Sequence, residues 1–316
     1  MGIVVETPGI LTTVQDEGRF GYQQFGVSPA GPMDSTSFSL ANLLVGNPRR
    51  EGLLELTFSG PTLKFTEDNV IAVTGGDMSP SLNSQPIPMY QAVAVNQGDV
   101  LSFGMMKGKG TRAYLAFAGG LDIPLVMGSK STLMRNVLGG MNGRKLEAGD
   151  KIDFAHPRKT LPDMEDRRLV PAEFGEREIV LRVVTGPQDT DFSVEELRRF
   201  FWYDAEITNE FDRMGCRLKR EEPLKHLGDG NIITDGIAFG SIQVPPNGQP
   251  IIMLADRQST GGYSKIGTVI SVDLPKLTQS MAGSRVRFVR VSLELAQELY
   301  LRRWEQFNRL EKRWGV

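Results

Sequence analysis

The sequence predicts a mainly β protein with a few helices, built as two β-rich halves. Three observations carry this. Through residue 154, short apolar runs such as NVIAVTGG, MYQAVAVNQGD, VLSFG and RAYLAFAGG alternate with turn residues, the spacing of a barrel or sandwich. A second stretch of the same kind runs from IVLRVVTGP to RVRFVRV. Between them, residues 155–178 hold many charges, three prolines and no sustained period, which marks a domain boundary. The expected organisation is a unit at 1–158, a linker at 159–178 and a unit at 179–316. At 316 residues the chain is long for a single core, which also favours two domains.

Helices interrupt this pattern at three places. Residues 33–45 place Phe38, Ala41, Leu44 and Val45 at helical spacing, with Asp34 or Ser35 as cap and Gly46 and Pro48 as the stop. A short helix follows Ser193, where Glu196 completes a capping box. The tail at 292–314 carries an apolar stripe of Ala296, Tyr300, Trp304, Phe307, Leu310 and Trp314. Glu294 and Glu298 lie early in it and Arg309, Lys312 and Arg313 late, which suits the helix dipole.

Composition removes several function classes. Lys and Arg total 36 against 38 Asp and Glu, a formal charge of −2, so the basic excess of a nucleic-acid binder is missing. The single cysteine, Cys216, excludes an internal disulfide and reads as a packed thiol. With only His156 and His226, a zinc site of Cys and His is not expected. His226, read as a surface residue, has no nucleophile elbow near it. No metal site is predicted. The start, MGIVVETPGILTT, has no basic region ahead of an apolar core, Glu6 breaks a myristoylation motif, and no run spans a membrane, so a cytoplasmic location is expected. GMMKGKGT and GSKST lack Walker spacing, and the first reads as a hairpin tip.

Four polar, glycine-rich stretches hold the candidate chemistry. TVQDEGRFGYQQFGVSPAGPMD (13–34) places Asp16, Arg19, Tyr22 and Asp34 on a loop, either an exposed turn-rich segment or a binding loop. Residues 118–144 gather Lys130, Ser131, Thr132, Arg135, Asn136 and Arg144, a pattern that a solvated surface also explains. NEFDRMGCRLKR (209–220) sets Asp212 and Arg213 before a Met–Gly turn. IIMLADRQSTGGYSKIG (251–267) is the richest, with Asp256, Arg257, Gln258, Ser259, Thr260, Tyr263 and Lys265 between two apolar flanks. An ordinary hairpin tip needs two to five turn residues and none of this inventory. Gly261 and Gly262 leave room for close backbone approach, Arg257 binds a carboxylate or phosphate bidentately, and Gln258 both donates and accepts. Such a set suits a small polar substrate with a carbonyl beside an N–H, and charge developing on its oxygen.

The order of LTTVQDEGRFGYQQFGVSPAGPMD, YLAFAGGLDIPLVMGSKST, TGPQDTDF, DRMGCRL and GSIQVPPNGQPIIMLADRQSTGGYSKIG resembles the allophanate hydrolase subunit 2-like, or biotin-dependent carboxyltransferase-like, family over about residues 3–290. ITDGIAFGSIQVP departs from the family pattern, in which an acidic residue more often precedes the Gly–Ser–Ile–Gln run. The resemblance implies two cyclophilin-like β-barrels. Free-standing members of the family include KipA and the C subunit of 5-oxoprolinase. They pair with a KipI-like chain and a LamB/YcsF-type subunit and act on 5-oxoproline with ATP. Fused members serve urea carboxylase, which brings biotin into the alternative. A third reading is a non-enzymatic regulator that binds a KipI-like inhibitor of a histidine kinase.

Opening a lactam is unfavourable because the amide is stable, so ATP, with Mg shared among subunits, is the expected energy source. Arg257 is expected to bind a carboxylate or phosphate. Gln258 and Thr260 would orient the ring, and Lys265 and Arg213 would stabilise developing negative charge. Tyr263 would supply a wall, Asp256 would order Arg257 or act as a base, and Asp16, Arg19 and Asp34 would come from the first domain.

Overall fold

Strands in the first half are apolar on both faces, and two separate cores account for it. The computed structural model describes residues 2–108 and 110–316; Met1 lies outside them, as does Lys109 of the expected hairpin tip. By internal packing the chain divides into two units. Unit 1 comprises Met1–Arg19, Ala30–Gly175 and Glu305–Val316, and unit 2 comprises Phe20–Pro29 and Glu176–Trp304.

The strands of unit 1 are β1 (Gly2–Thr7), β2 (Leu11–Gln15), β3 (Leu53–Thr57), β4 (Thr62–Phe65), β5 (Asn69–Gly75), β6 (Ser81–Leu82), β7 (Gln85–Pro86), β8 (Ala92–Val95), β9 (Val100–Ser102), β10 (Arg112–Phe117) and β11 (Lys151–Asp153). They form two sheets, ordered β11-β1-β4-β9-β6-β7 and β2-β3-β10-β5-β8. Ile3, Val5, Leu63 and Phe65 from the first sheet and Val14, Leu54, Leu56, Ile71, Val73 and Leu115 from the second enclose one core. Side chains alternate along a strand, so Val70, Ala72, Tyr114 and Ala116 face the other way. They meet Phe38, Ala41 and Leu44 of helix α1 (Ser35–Leu44). A sheet covered on both faces reads as a continuous apolar run, which explains NVIAV and AYLAF.

The expected linker is partly folded. Leu161 is buried against the same core. Arg167, 2 % exposed, donates to the carbonyls of Pro162, Leu43 and Trp314. Its buried carbonyl partners are the reason the chain is held there, and the division between units falls later, at Gly175.

Unit 2 holds β12 (Glu178–Thr185), α2 (Val194–Trp202), β13 (Ala205–Phe211), β14 (Gly215–Lys219), β15 (Asn231–Gly236), β16 (Ser241–Val244), β17 (Ile251–Met253), β18 (Thr260–Val269), α3 (Leu274–Thr278), β19 (Arg285–Arg290) and the start of α4 (Leu293–Trp314). The order β12-β19-β13-β14-β17-β16-β18 closes on itself because β18 also pairs β12. Strand β15 stands outside this ring and pairs only the first half of β18. Ser193 caps α2 by accepting from the Glu196 amide. The tail helix forms as its stripe predicts, but its burial is concentrated late: Phe307 and Trp314 are buried, whereas Tyr300 is 48 % exposed. The helix end from Glu305 belongs to unit 1 rather than to the second half. Among the described residues no helix is long and apolar enough to cross a membrane.

Candidate functional site

The richest polar stretch divides into a turn and a strand. Residues 254–259 make the turn after β17, and Thr260 already begins β18. Pairing of β14 with β17 sets Gly215 opposite Met253, which carries the flanking residues Arg213 and Asp256 together. The two form a bidentate ion pair, Nε to Oδ2 and Nη2 to Oδ1, both 2.9 Å, and they are 6 % and 7 % exposed. Asp256 therefore orders Arg213, where Arg257 was the expected partner. Asp212 stays at the surface and caps its turn, accepting from the amides of Met214 and Gly215.

Arg257 turns inward, toward backbone carbonyls. It is 7 % exposed; its Nε donates to the Ile237 carbonyl at 2.9 Å and Nη1 to the Leu254 carbonyl, and the guanidinium lies over the Phe239 ring. Burial pushes it down to about 10, against a smaller opposing effect of Asp256. A guanidinium placed this way braces the turn. The Ser28 hydroxyl, from the part of the glycine-rich loop that belongs to unit 2, fixes the same turn by donating to the Arg257 carbonyl at 2.6 Å.

Beyond the turn, Gln258 and Thr260 are exposed, Ser259 is half-buried and Tyr263 is 38 % exposed. The space at Gly261 is filled by protein: a side chain there would meet Gln243 Nε2 at 2.6 Å and Ile237 Cδ1 at 2.7 Å. Lys265, 2 % exposed, reaches Asp235 Oδ2 at 2.5 Å and the Gly236 carbonyl at 2.9 Å. Gln188 completes the group. Its Nε2 donates to Asp235 Oδ2, and its Oε1 accepts from the Lys265 amide. The Lys265 bond, then those from Gln188 and the Gly236 amide, hold the Asp235 carboxyl down to about 2. The neighbouring Ser264 hydroxyl donates to Asp191 at 2.5 Å.

In unit 1 the expected site residues are tied to their own fold. Asp16, 8 % exposed, accepts from the hydroxyls of Ser129 and Ser131 and the amides of Lys130 and Gly18. Arg19 is fully buried and donates to the carbonyls of Val126 and Ser131. Asp34, also fully buried, caps α1 by accepting from the Thr36 and Ser37 amides. These three knit the glycine-rich loop to residues 126–131 and to the helix. Lys130 likewise pairs Glu51. His226 is half-buried, bonded to the Val244 carbonyl and packed on the Phe192 ring, which corrects its reading as a surface histidine. Cys216 is buried.

A family model described as carboxyltransferase domain, subdomain A and B, matches residues 25–290. The chain belongs to this carboxyltransferase-domain family. It is 35 % identical to the C subunit of the Escherichia coli 5-oxoprolinase over 91 % of both chains. The corresponding C subunit of Haemophilus influenzae is 36 % identical over 91 % of this chain and 90 % of its own. The urea amidolyase of Lachancea kluyveri is 34 % identical, but this chain spans only 17 % of it. The crystal structure of the Kluyveromyces lactis urea amidolyase superposes with a TM-score of 0.90 at 32 % identity, covering 98 % of this chain and 20 % of that one.

Within this carboxyltransferase domain, sequence reasoning missed Asp235 and Gln188 as members of the Lys265 group. The signal was present in TGPQDTDF and ITDGIAFG, both of which stood out as motifs without being linked to Lys265. Only the pairing of β15 with β18 brings Asp235 opposite Gly261 and so within reach of Lys265.

Proposed function

We propose that the chain is the C subunit of an ATP-dependent 5-oxoprolinase, which helps open the lactam of 5-oxoproline to glutamate with a KipI-like subunit and a LamB/YcsF-type subunit. The observation that carries this reading is the match to two free-standing C subunits over about nine-tenths of both partners. The chemistry of unit 2 supports it. Lys265 supplies positive charge for a carbonyl oxygen that becomes negative, and Gln258 and Thr260 offer exposed donors and acceptors for the ring. Tyr263 gives a partly exposed wall. The buried Arg213–Asp256 pair and Arg257 hold the turn that presents Gln258, as positioning residues. Among the described residues no group of three or more His, Cys, Asp or Glu side chains is gathered that could hold a metal ion.

The test is reconstitution. The chain alone is expected to be inactive, and the three-subunit mixture to form glutamate from 5-oxoproline with Mg·ATP. Lys265→Met in that mixture should lower kcat at least about 100-fold, the scale of one lost charge-stabilising donor. Full activity of the variant would remove Lys265 from the site.

The family model and the amidolyase superposition favour one second reading, a biotin-dependent carboxyltransferase acting on urea or a related small amide. Carboxylation of urea that requires a biotinylated carrier would establish it in place of the first.

A further inference from the structure

Lys265 and Asp235 are an unusual pair. The lysine side chain is 3 % exposed and the aspartate side chain 48 %, so a nearly buried ammonium is neutralised by a carboxylate on an exposed strand outside the ring. That strand, β15, pairs β18 with a register shift, and its Ile233 is 96 % exposed. An ammonium has three N–H groups. Two have partners among the described residues, Asp235 Oδ2 and the Gly236 carbonyl. The Asp235 carboxylate accepts from Lys265, Gln188 and the Gly236 amide and keeps half its surface in solvent. A carboxylate has about four acceptor sites, so it retains capacity for one more donor.

We infer that this pair reads an amide group, with the ammonium donating to the carbonyl oxygen and the Asp235 carboxylate accepting from the adjacent N–H. Geometry selects the kind of amide. An ordinary trans peptide points its C=O and N–H in opposite directions. A five-membered lactam, or urea, carries them on the same edge, with oxygen and nitrogen about 2.3 Å apart from standard bond lengths. Oδ2, 2.5 Å from the ammonium, already accepts from Lys265 and Gln188, so the remaining acceptor site lies on Oδ1 of the same carboxylate, and the pair offers a donor and an acceptor side by side to one edge of a small amide. The pair is also neutral overall, and a neutral amide meets it without stranding a charge away from water. Asp235 is then a specificity-determining residue, Gln188 positions it, and the TGPQ and ITDG motifs acquire a common purpose.

This inference rests on the proposal that the chain handles a small amide. The probe that separates the two is the lactone 5-oxotetrahydrofuran-2-carboxylate, in which a ring oxygen replaces the N–H of 5-oxoproline at unchanged shape. Equilibrium binding of both to the reconstituted complex should favour the lactam about 10- to 100-fold, the effect of one hydrogen bond to a charged group. Asp235→Ala and Asp235→Asn should each reduce that ratio to within about 3-fold. A carboxylate that merely pins the hairpin would leave the ratio unchanged in the variants. Equal binding of lactam and lactone by the unaltered complex overturns the inference without requiring any variant to fold. Binding of urea but not 5-oxoproline, with N,N′-dimethylurea at least about 10-fold weaker than urea, would uphold the amide-reading pair and overturn the lactam reading. Turnover of 5-oxoproline with no lactam preference would do the reverse.

Discussion

Arg213 and Asp256 lie 43 residues apart, are both nearly buried, and share two hydrogen bonds, so each is costly without the other. Arg213→Ala removes two charge-assisted hydrogen bonds from a nearly buried carboxylate and is expected to lower stability by about 3–5 kcal/mol, read from the urea midpoint of the purified chain. The double variant with Asp256→Ala should cost less than the sum of the single changes. Asp235 behaves differently because it is half-exposed. Its carboxyl is held down to about 2 from an ordinary 3.8, so the native state favours the ionised form. The resulting stability is fully present above about pH 4 and is lost as pH falls toward 2. Unfolding measured between pH 5 and 2 should show a shallower acid loss for Asp235→Asn than for the unaltered chain. The residue types of this site were legible in 251–267, but their partners were not. Arg257 reads in sequence as a ligand-binding cation, and it is the Ile237 and Leu254 carbonyls, reached only in the folded turn, that claim it.

Strand β18 pairs β15 along its first half and β16 and β12 of the ring along its second. At its ring end Gly267 sits opposite Thr185 of β12, the pairing that closes the sheet. A Cβ there would meet Val183 Cγ1 at 2.5 Å and the Val184 carbonyl at 2.9 Å. Gly267→Ala should therefore push the seam apart and cost about 1–3 kcal/mol, with faster amide exchange in β12 than in β13 as the local signature. Helix α1 depends on a different local device. Asp34→Ala removes the cap and should cost about 0.5–2 kcal/mol by denaturant unfolding. This cap was readable in advance, since Asp–Ser ahead of a helical period is a local signal. The closing seam was not, because β12 and β18 are joined by neither a short turn nor any composition cue.

At the scale of the whole chain, the last helix turns belong to the first unit. Phe307 and Trp314 sit in the core that also holds Phe38, Val70 and Tyr114, and Arg167 donates to the Trp314 carbonyl. Deleting residues 305–316 should expose that core. Hydrogen exchange is expected to rise in α1, β5 and β10 and to remain unchanged in the ring of β12–β14 and β16–β19. The sequence by itself determined the mainly β class, the three longer helices and the polar character of the 251–267 stretch, because periodicity, caps and turn residues act over a few positions. Tertiary structure decided which charge meets which, that Asp16, Arg19 and Asp34 bond to backbone and hydroxyl groups of their own unit, and that Asp235 answers Lys265. Those outcomes depend on strand register across distant segments, where a shift of one residue turns every side chain to the other face.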